Sequence, residues 1–416
     1  MVGRKRLCLI GLAAVLFLTG AVVASAADWP KWRGPNGDGI SLDTGLLKDW
    51  PPGGPPVAWQ IDALGEGYSG VAVSGGRVYT HGNVGGVEKA MAFSEADGSP
   101  LWAIQTHAGP GYTNGQGDGP RDTPTVADGR VYVEGAWGDV WCLDAETGGP
   151  VWHVSLTGDL GGALPGWGYA ESPLLHGDRL IVTPGGQAGA VVALNKDTGA
   201  LIWRTDQVPD AAEYASPVAA VVGGVPEIVQ FVRGGVFGMT PDTGRLLWSY
   251  RHQKAKDSIN ITTPIVAEDH VLVSSAYSNG TGVARITTAD GKQSAQEAYF
   301  VPSFENHHGG ITKVGDFVYG TNNQGLVCMK YLTGEIAWQE RGVGKGSLTV
   351  ADGMLYVLGE MREMALVEAT PEGYREHGRF GIENRGKPTW THPVVANGRL
   401  YLRNQSVLTV YDIKAK

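Results

Sequence analysis

The chain has 416 residues, among them 63 glycines, 23 prolines and 13 tryptophans, and a formal net charge of −9. An acidic balance with no long basic run excludes a nucleic-acid backbone or an anionic membrane surface as partner. Glycine spread evenly along the chain suits many tight turns better than helices.

The first 26 residues differ from the rest. Arg4, Lys5 and Arg6 precede an apolar run from Leu7 to Val23, and Ala24-Ser25-Ala26 offers the small residues of a cleavage site. The segment reads as a secretory signal cut before Ala27, which places the mature protein in the periplasm or outside the cell. The alternative, a retained anchor, meets an apolar run that is short for one. Cys8 lies too early to carry a lipid at the cleavage point.

Residues 27–55 hold Trp29, Trp32 and Trp50 among many Gly and Pro, and are predicted to form an extended arm. Within it, Asn36-Gly37-Asp38-Gly39 resembles a calcium loop but lacks the later acidic ligand, so a plain turn is expected.

From residue 56 onward the chain repeats itself. Thr147-Gly148 is followed by Trp152, Thr198-Gly199 by Trp203, Thr243-Gly244 by Trp248 and Thr333-Gly334 by Trp338, with a weaker copy at Asp97-Gly98 and Trp102. A period of about 45 residues with strand-like composition predicts a β-propeller. Each repeat also carries a hairpin signal, clearest at Asp128-Gly129, where both central residues of the favoured turn need positive φ. Equivalent turns at Gly75-Gly76, Gly177-Asp178, Gly223-Gly224, Glu268-Asp269, Gly315-Asp316, Asp352-Gly353 and Asn397-Gly398 bring the count to eight. The fifth and seventh repeats are degenerate, with Phe300 and Phe380 in place of the Trp. The eighth lacks its fourth strand, and Pro56-Val57-Ala58-Trp59 is predicted to supply it from the other end of the chain. The fold class is therefore all-β: an eight-bladed propeller of four-stranded blades over residues 56–416, closed by an N-terminal strand on the last blade. The Gly-rich segment His107–Gly119 is an insertion between the first two blades. Cys142 and Cys328 occupy matching positions in the second and sixth repeats, too far apart for a disulfide, and are expected to be buried small residues.

The pattern Leu-Asp-x-x-Thr-Gly-x-x-x-Trp, whole at Leu143 to Trp152 and nearly so at Leu194 to Trp203, resembles the Trp motif of the pyrroloquinoline quinone (PQQ) repeat family. The opening Trp29-Pro30-Lys31-Trp32-Arg33-Gly34-Pro35 also resembles the start of secreted bacterial propellers of this family. The resemblance covers the mature chain and implies one of two functions. One branch comprises quinoprotein dehydrogenases, which hold PQQ and usually Ca²⁺ in the central funnel. The other comprises non-catalytic propellers, such as the outer-membrane-protein assembly lipoprotein, which present loops to partner proteins. This chain departs from the first by lacking adjacent cysteines and a haem-attachment motif. It departs from the second by lacking a lipid-bearing cysteine after the signal.

Residues just before each innermost strand are expected to line one mouth of the axial channel: Tyr68, Arg121, Asp122, Tyr169, Glu171, Glu213, Tyr214, Asn260, Asn306, His307, His308, Lys345, Trp390 and His392. If PQQ is bound, Arg121, Glu171, Asn260, Lys345 and Trp390 are the candidates to hold it. Glu171 and Asn260 would also ligate Ca²⁺, and Asp122 or Glu213 would act as base. Each has a plainer role open to it. Asp122 and Glu171 can pair with Arg121 or cap strands, Tyr169, Tyr214 and Trp390 can pack between blades, and only one of His307 and His308 should face the axis if their segment is extended. The first reading is thus an exported, monomeric binding or scaffolding propeller without a cofactor, acting through its rim and funnel on a protein partner or a small polar ligand. The alternative is a PQQ-dependent dehydrogenase of a small alcohol or sugar. A hydrolase or lyase using His307 or His308 ranks last, for want of a nucleophile motif.

Overall fold

The computed structural model describes residues 27–115, 117–252 and 259–415. The predicted signal and Cys8 lie outside the described residues. Among these, strands arrange in eight sheets and no helix occurs; none is therefore long and apolar enough to cross a membrane.

Each sheet is built on four antiparallel strands, with a short fifth strand added in the fifth blade by Ile259–Asn260 and in the seventh by Ile40–Ser41, and the sheets follow one another in chain order from residues 72–105 to residues 394–412. The innermost hairpins form at the predicted turns. Asp128 and Gly129 have φ of 50° and 72°, and Asn397 and Gly398 have 55° and 74°. Their handedness matches the twist of the flanking strands, which is why Gly, Asn and Asp recur there. The ring closes where Val57–Asp62 pairs antiparallel with Val407–Asp412, Trp59 standing opposite Val410. The N-terminal strand thereby covers what would be an open edge of the eighth blade.

The Thr-Gly…Trp repeat has a packing cause. Trp59, Trp102, Trp152 and Trp203 each lie against the turn glycine of the next blade, where a Cβ would meet the indole: Trp59 at 2.7 Å from Gly98, Trp102 at 2.7 Å from Gly148, Trp152 at 2.9 Å from Gly199, and Trp203 against Gly244. The indole N–H donates to a carbonyl of that same neighbour, Trp152 to Lys196 at 2.8 Å, Trp203 to Pro241 at 2.9 Å and Trp338 to Thr370 at 2.8 Å. One side chain thus supplies both the apolar wedge and the polar tie between blades.

The fifth blade departs from the pattern in an orderly way. Its two outer strands, Gly280–Ala289 and Lys292–Val301, run ten residues each and join through a tight turn at Asp290-Gly291. The Trp-like contact to the sixth blade comes from Tyr299, not the expected Phe300: its ring lies over Gly334 and its hydroxyl donates to the Tyr331 carbonyl. With no Thr-Gly turn beside it, Trp248 donates to Glu227 of its own blade at 2.6 Å. Cys142 and Cys328 are buried thiols not joined in a disulfide, and burial pushes both up to about 11.

The arm crosses the far mouth of the channel. Trp29 pairs with Val73 of the first blade, Ile40–Ser41 runs parallel to the inner strand of the seventh, and Leu46 bridges Lys414. The Asn36–Gly39 turn wraps the buried Arg33, whose guanidinium takes the carbonyls of Gly37, Asp38 and Ile311. Those loop carbonyls are thus turned onto a side chain of the protein. At the axis, the Trp32 indole donates to Thr263 Oγ1 at 2.9 Å.

Candidate functional site

Near the axis, short segments preceding the inner strands tie neighbouring blades together. The Thr123 amide donates to Ser172 Oγ, and the Ser172 amide to Ser216 Oγ, both at 2.8 Å. These bonds fix the start of each inner strand and therefore the direction in which the preceding side chains project.

The result is a funnel of about 410 Å³ with Trp32 and His392 at its base. Its size is that of a small-molecule site. Tyr68 and Trp390 stack at 4.6 Å on one side, and Arg121 lies over both rings, 5.1 Å and 5.9 Å from their centroids. Trp167 and Tyr214, 5.5 Å apart, form a second aromatic wall. Lys345 bonds the Glu360 carboxylate and His307 Nδ1, each at 3.1 Å. The Trp390 indole donates to the same carboxylate at 3.3 Å, and His308 stands 3.4 Å from it.

The electrostatics follow from this geometry. Burial, reinforced by Lys345, pushes His307 down to about 4; burial also lowers His308, and takes His392 to about 3. All three are neutral at pH 7. Burial works to raise Glu360, but bonds from His308 and Lys345 outweigh it and hold the carboxyl at about 2. Arg121 loses some basicity to burial and has no carboxylate in ion-pair range among the described residues.

The sequence candidates divide in two. Arg121, Lys345, Trp390, Tyr68, Tyr214 and both histidines line the funnel. His307 and His308 face it together, their rings 5.5 Å apart at 22°, because the segment bends at Gly309 and is held by the Asn306 side chain. The expectation of one inward histidine assumed an extended strand, which does not form there.

Asp122, Glu171, Glu213 and Asn260 lie outside the funnel lining, each committed to protein partners. Asp122 accepts from Ser69 and from the Glu134 amide and bonds His81, with no link to Arg121. Glu171 accepts from the Thr183 amide and Gln230. Desolvation, only partly offset by those bonds, pushes it up to about 7, and burial beside Glu171 and Asp122 raises Glu134 well above its ordinary value. Glu213 pairs with Arg233 at 2.9 Å. Asn260 donates to the Val232 carbonyl and accepts from Ser275, each at 2.7 Å. Among the described residues no cluster of three His, Cys, Asp or Glu side chains is placed to hold a metal ion.

Among the lining residues not expected there from the sequence are Trp32, Trp167, Tyr277 and Glu360. Tyr277 and Glu360 each follow directly on the second strand of their blade, after His270–Ala276 and Met354–Gly359. That position is a usable signal. Trp32 carries none, since its place depends on the path of the arm.

The inserted segment borders the funnel. Gly117 accepts from Arg121 Nη2 at 2.9 Å, and a Cβ there would come within 2.7 Å of Tyr68 and 2.8 Å of Arg121. Asp118 pairs with Lys387 at 2.9 Å, joining the insertion to the loop before Trp390.

Comparison with known proteins adds the following. A family model described as outer membrane protein assembly factor BamB matches residues 52–136 and 88–340. The outer membrane protein assembly factor BamB of Shewanella oneidensis is 22% identical over 369 residues, 74% of this chain and 90% of that protein. The quinoprotein alcohol dehydrogenase PedH of Pseudomonas putida is 30% identical over 160 residues, 36% of this chain; the match spans only 25% of the dehydrogenase. The crystal structure of BamB from Moraxella catarrhalis superimposes with a TM-score of 0.61 at 19% identity, covering 85% of this chain and 99% of that one. At that identity the likeness is one of fold.

Proposed function

The chain belongs to the PQQ-like propeller family described as outer membrane protein assembly factor BamB, and from that premise we propose that it is an exported binding or scaffolding protein. In this reading its loop rim engages a protein partner and its funnel takes a small polar ligand. The carrying observation is the funnel itself, in which aromatic walls and a few convergent polar groups surround a cavity floored by Trp32.

A second reading, a quinoprotein dehydrogenase, draws on one observation: Arg121, Lys345 and Trp390 share the cavity. Those residues suit a planar anionic quinone, whose redox chemistry would supply the activity. The calcium half of the cofactor pair does not fit. Glu171 and Asn260 spend their oxygens on protein donors and line no part of the funnel. No reaction step is derived through either group.

Titration of the mature protein with PQQ and Ca²⁺, followed by a dye-reduction screen over alcohols and sugars, separates the two. The binding reading expects no turnover with any substrate. Tight quinone binding with dye reduction would overturn it.

A further inference from the structure

The charges in the funnel do not balance. Glu360 is matched by Lys345 at 3.1 Å and approached by His308, and the same carboxylate accepts from Trp390. The histidines around it are held neutral by burial. Arg121 is left as the one lining cation without an anionic partner among the described residues. Among the described residues its guanidinium gives one bond, to the Gly117 carbonyl, and its face rests on Tyr68 and Trp390. A guanidinium has five N–H donors in a planar fork, so most of that capacity is unspent.

Building such a group is costly unless something uses it. A cation in a partly dry, aromatic cavity gives up hydration, and stacking on two rings recovers only part of it. The surroundings hold it in place all the same. Gly117 is the residue whose missing side chain lets the insertion close over Arg121, and Asp118 is turned away from it to Lys387. An acidic residue three positions from an unmatched arginine, yet bonded elsewhere, leaves the fork open toward the cavity.

We propose that the funnel binds a ring compound bearing a single carboxylate, with the carboxylate on Arg121 and the ring between the Trp390 and Tyr214 walls. This rests on the funnel being a ligand site, as argued above. One unmatched positive charge calls for one negative charge, and Glu360 in the wall disfavours a polyanion. A charge-assisted, fork-like bond fixes the head, while flat aromatic faces accept either the C–H face of a sugar acid or an aromatic acid.

The test is calorimetric titration of the mature protein with two matched pairs of probes, glucuronate against glucose and benzoate against benzamide. In at least one pair the acid should bind about tenfold or more tightly than its neutral counterpart, with an affinity that falls as salt is raised. The pair showing the preference identifies the ring. Arg121→Gln should erase the preference, and Arg121→Lys should restore it only in part; thermal unfolding of both variants checks that they fold. Equal binding of acid and neutral probes, or a preference that survives Arg121→Gln in the folded variant, overturns the proposal while leaving the funnel as a ligand site. Binding of none of the four at millimolar concentration overturns the ligand-site reading as well.

Discussion

The Trp32 ring, carried by the N-terminal arm, lies 4.5 Å from the His392 ring of the eighth blade, and the pair forms the floor of the funnel. On the other side of Trp32 is a second cavity of about 460 Å³, bounded by the arm and the inner strands of the middle blades. Trp32 lines both chambers, together with Ser172 and Ser216, and is held by its bond to Thr263.

Trp32→Ala should open the floor between the chambers and cost roughly 1–3 kcal/mol of stability, below the range for a fully buried ring because Trp32 is half-buried. The sharper readout is His392. Its depressed basicity comes from burial, so an NMR titration should find the ring moving from about 3 toward its ordinary 6.5 in the variant. An unchanged His392 would mean that Trp32 does not seal the floor.

The turn glycines can be tested by a matched pair. Gly199 and Gly129 share a φ of 72°, but only Gly199 faces a ring, Trp152 at 2.9 Å; Gly129 has nothing within 4 Å. Each Ala substitution incurs the backbone strain of about 1 kcal/mol. Gly199→Ala should cost a further ~1–3 kcal/mol by displacing the indole. Chemical denaturation of both variants measures the difference, and equal losses would remove the inter-blade wedge as the reason for the repeat.

Stability should peak in weakly acidic solution. Glu171 is raised from 4.5 to about 7, so its contribution is complete below 4.5 and is lost as pH rises through 7. His307 and His392 are depressed, so theirs is complete above 6.5 and is lost as pH falls toward 4 and 3. Glu134, raised well above its ordinary value by burial beside Glu171 and Asp122, acts in the same sense, so Glu134→Gln removes that share and should flatten the alkaline limb while leaving the acid limb. Melting temperatures from pH 4 to 9 check this, and an unchanged alkaline limb would dismiss the acid pair as its source.

Lys387→Gln should loosen the insertion without weakening the fold. The ion pair with Asp118 is near the surface, where such pairs contribute roughly 0–1 kcal/mol. Melting should shift little, while amide exchange around Gly117 and Asp118 speeds up. Unchanged exchange would show that the segment's other bonds, among them Arg121 to Gly117 and the Gly117 amide to Asn114, hold it without the ion pair.

The repeat made the fold legible because one chemical requirement, a wedge and a donor at the blade junction, recurs at a fixed spacing in most of the blades. Trp152 and Gly199 announce each other from the sequence alone. The funnel was legible only in part. Arg121, Lys345 and Trp390 stood at the right offset before their strands, but so did Asp122, Glu171 and Asn260, which the fold spends on internal bonds. A position just before an inner strand puts a residue near the axis. Whether its side chain turns into the channel or back between blades depends on the donors waiting there.

By itself the sequence determined the all-β class, eight blades, the closing strand with Trp59, and buried thiols at Cys142 and Cys328, since these follow from local period, turn chemistry and composition. Only the tertiary structure decided that Trp32 floors the channel, that His307 and His308 face the same way, and that Arg121 stands unmatched while Glu360 does not. These depend on contacts between segments far apart in the chain, such as Trp32 with Thr263 and Lys387 with Asp118. A periodic signal records what every blade shares; the funnel is made from what each blade does differently.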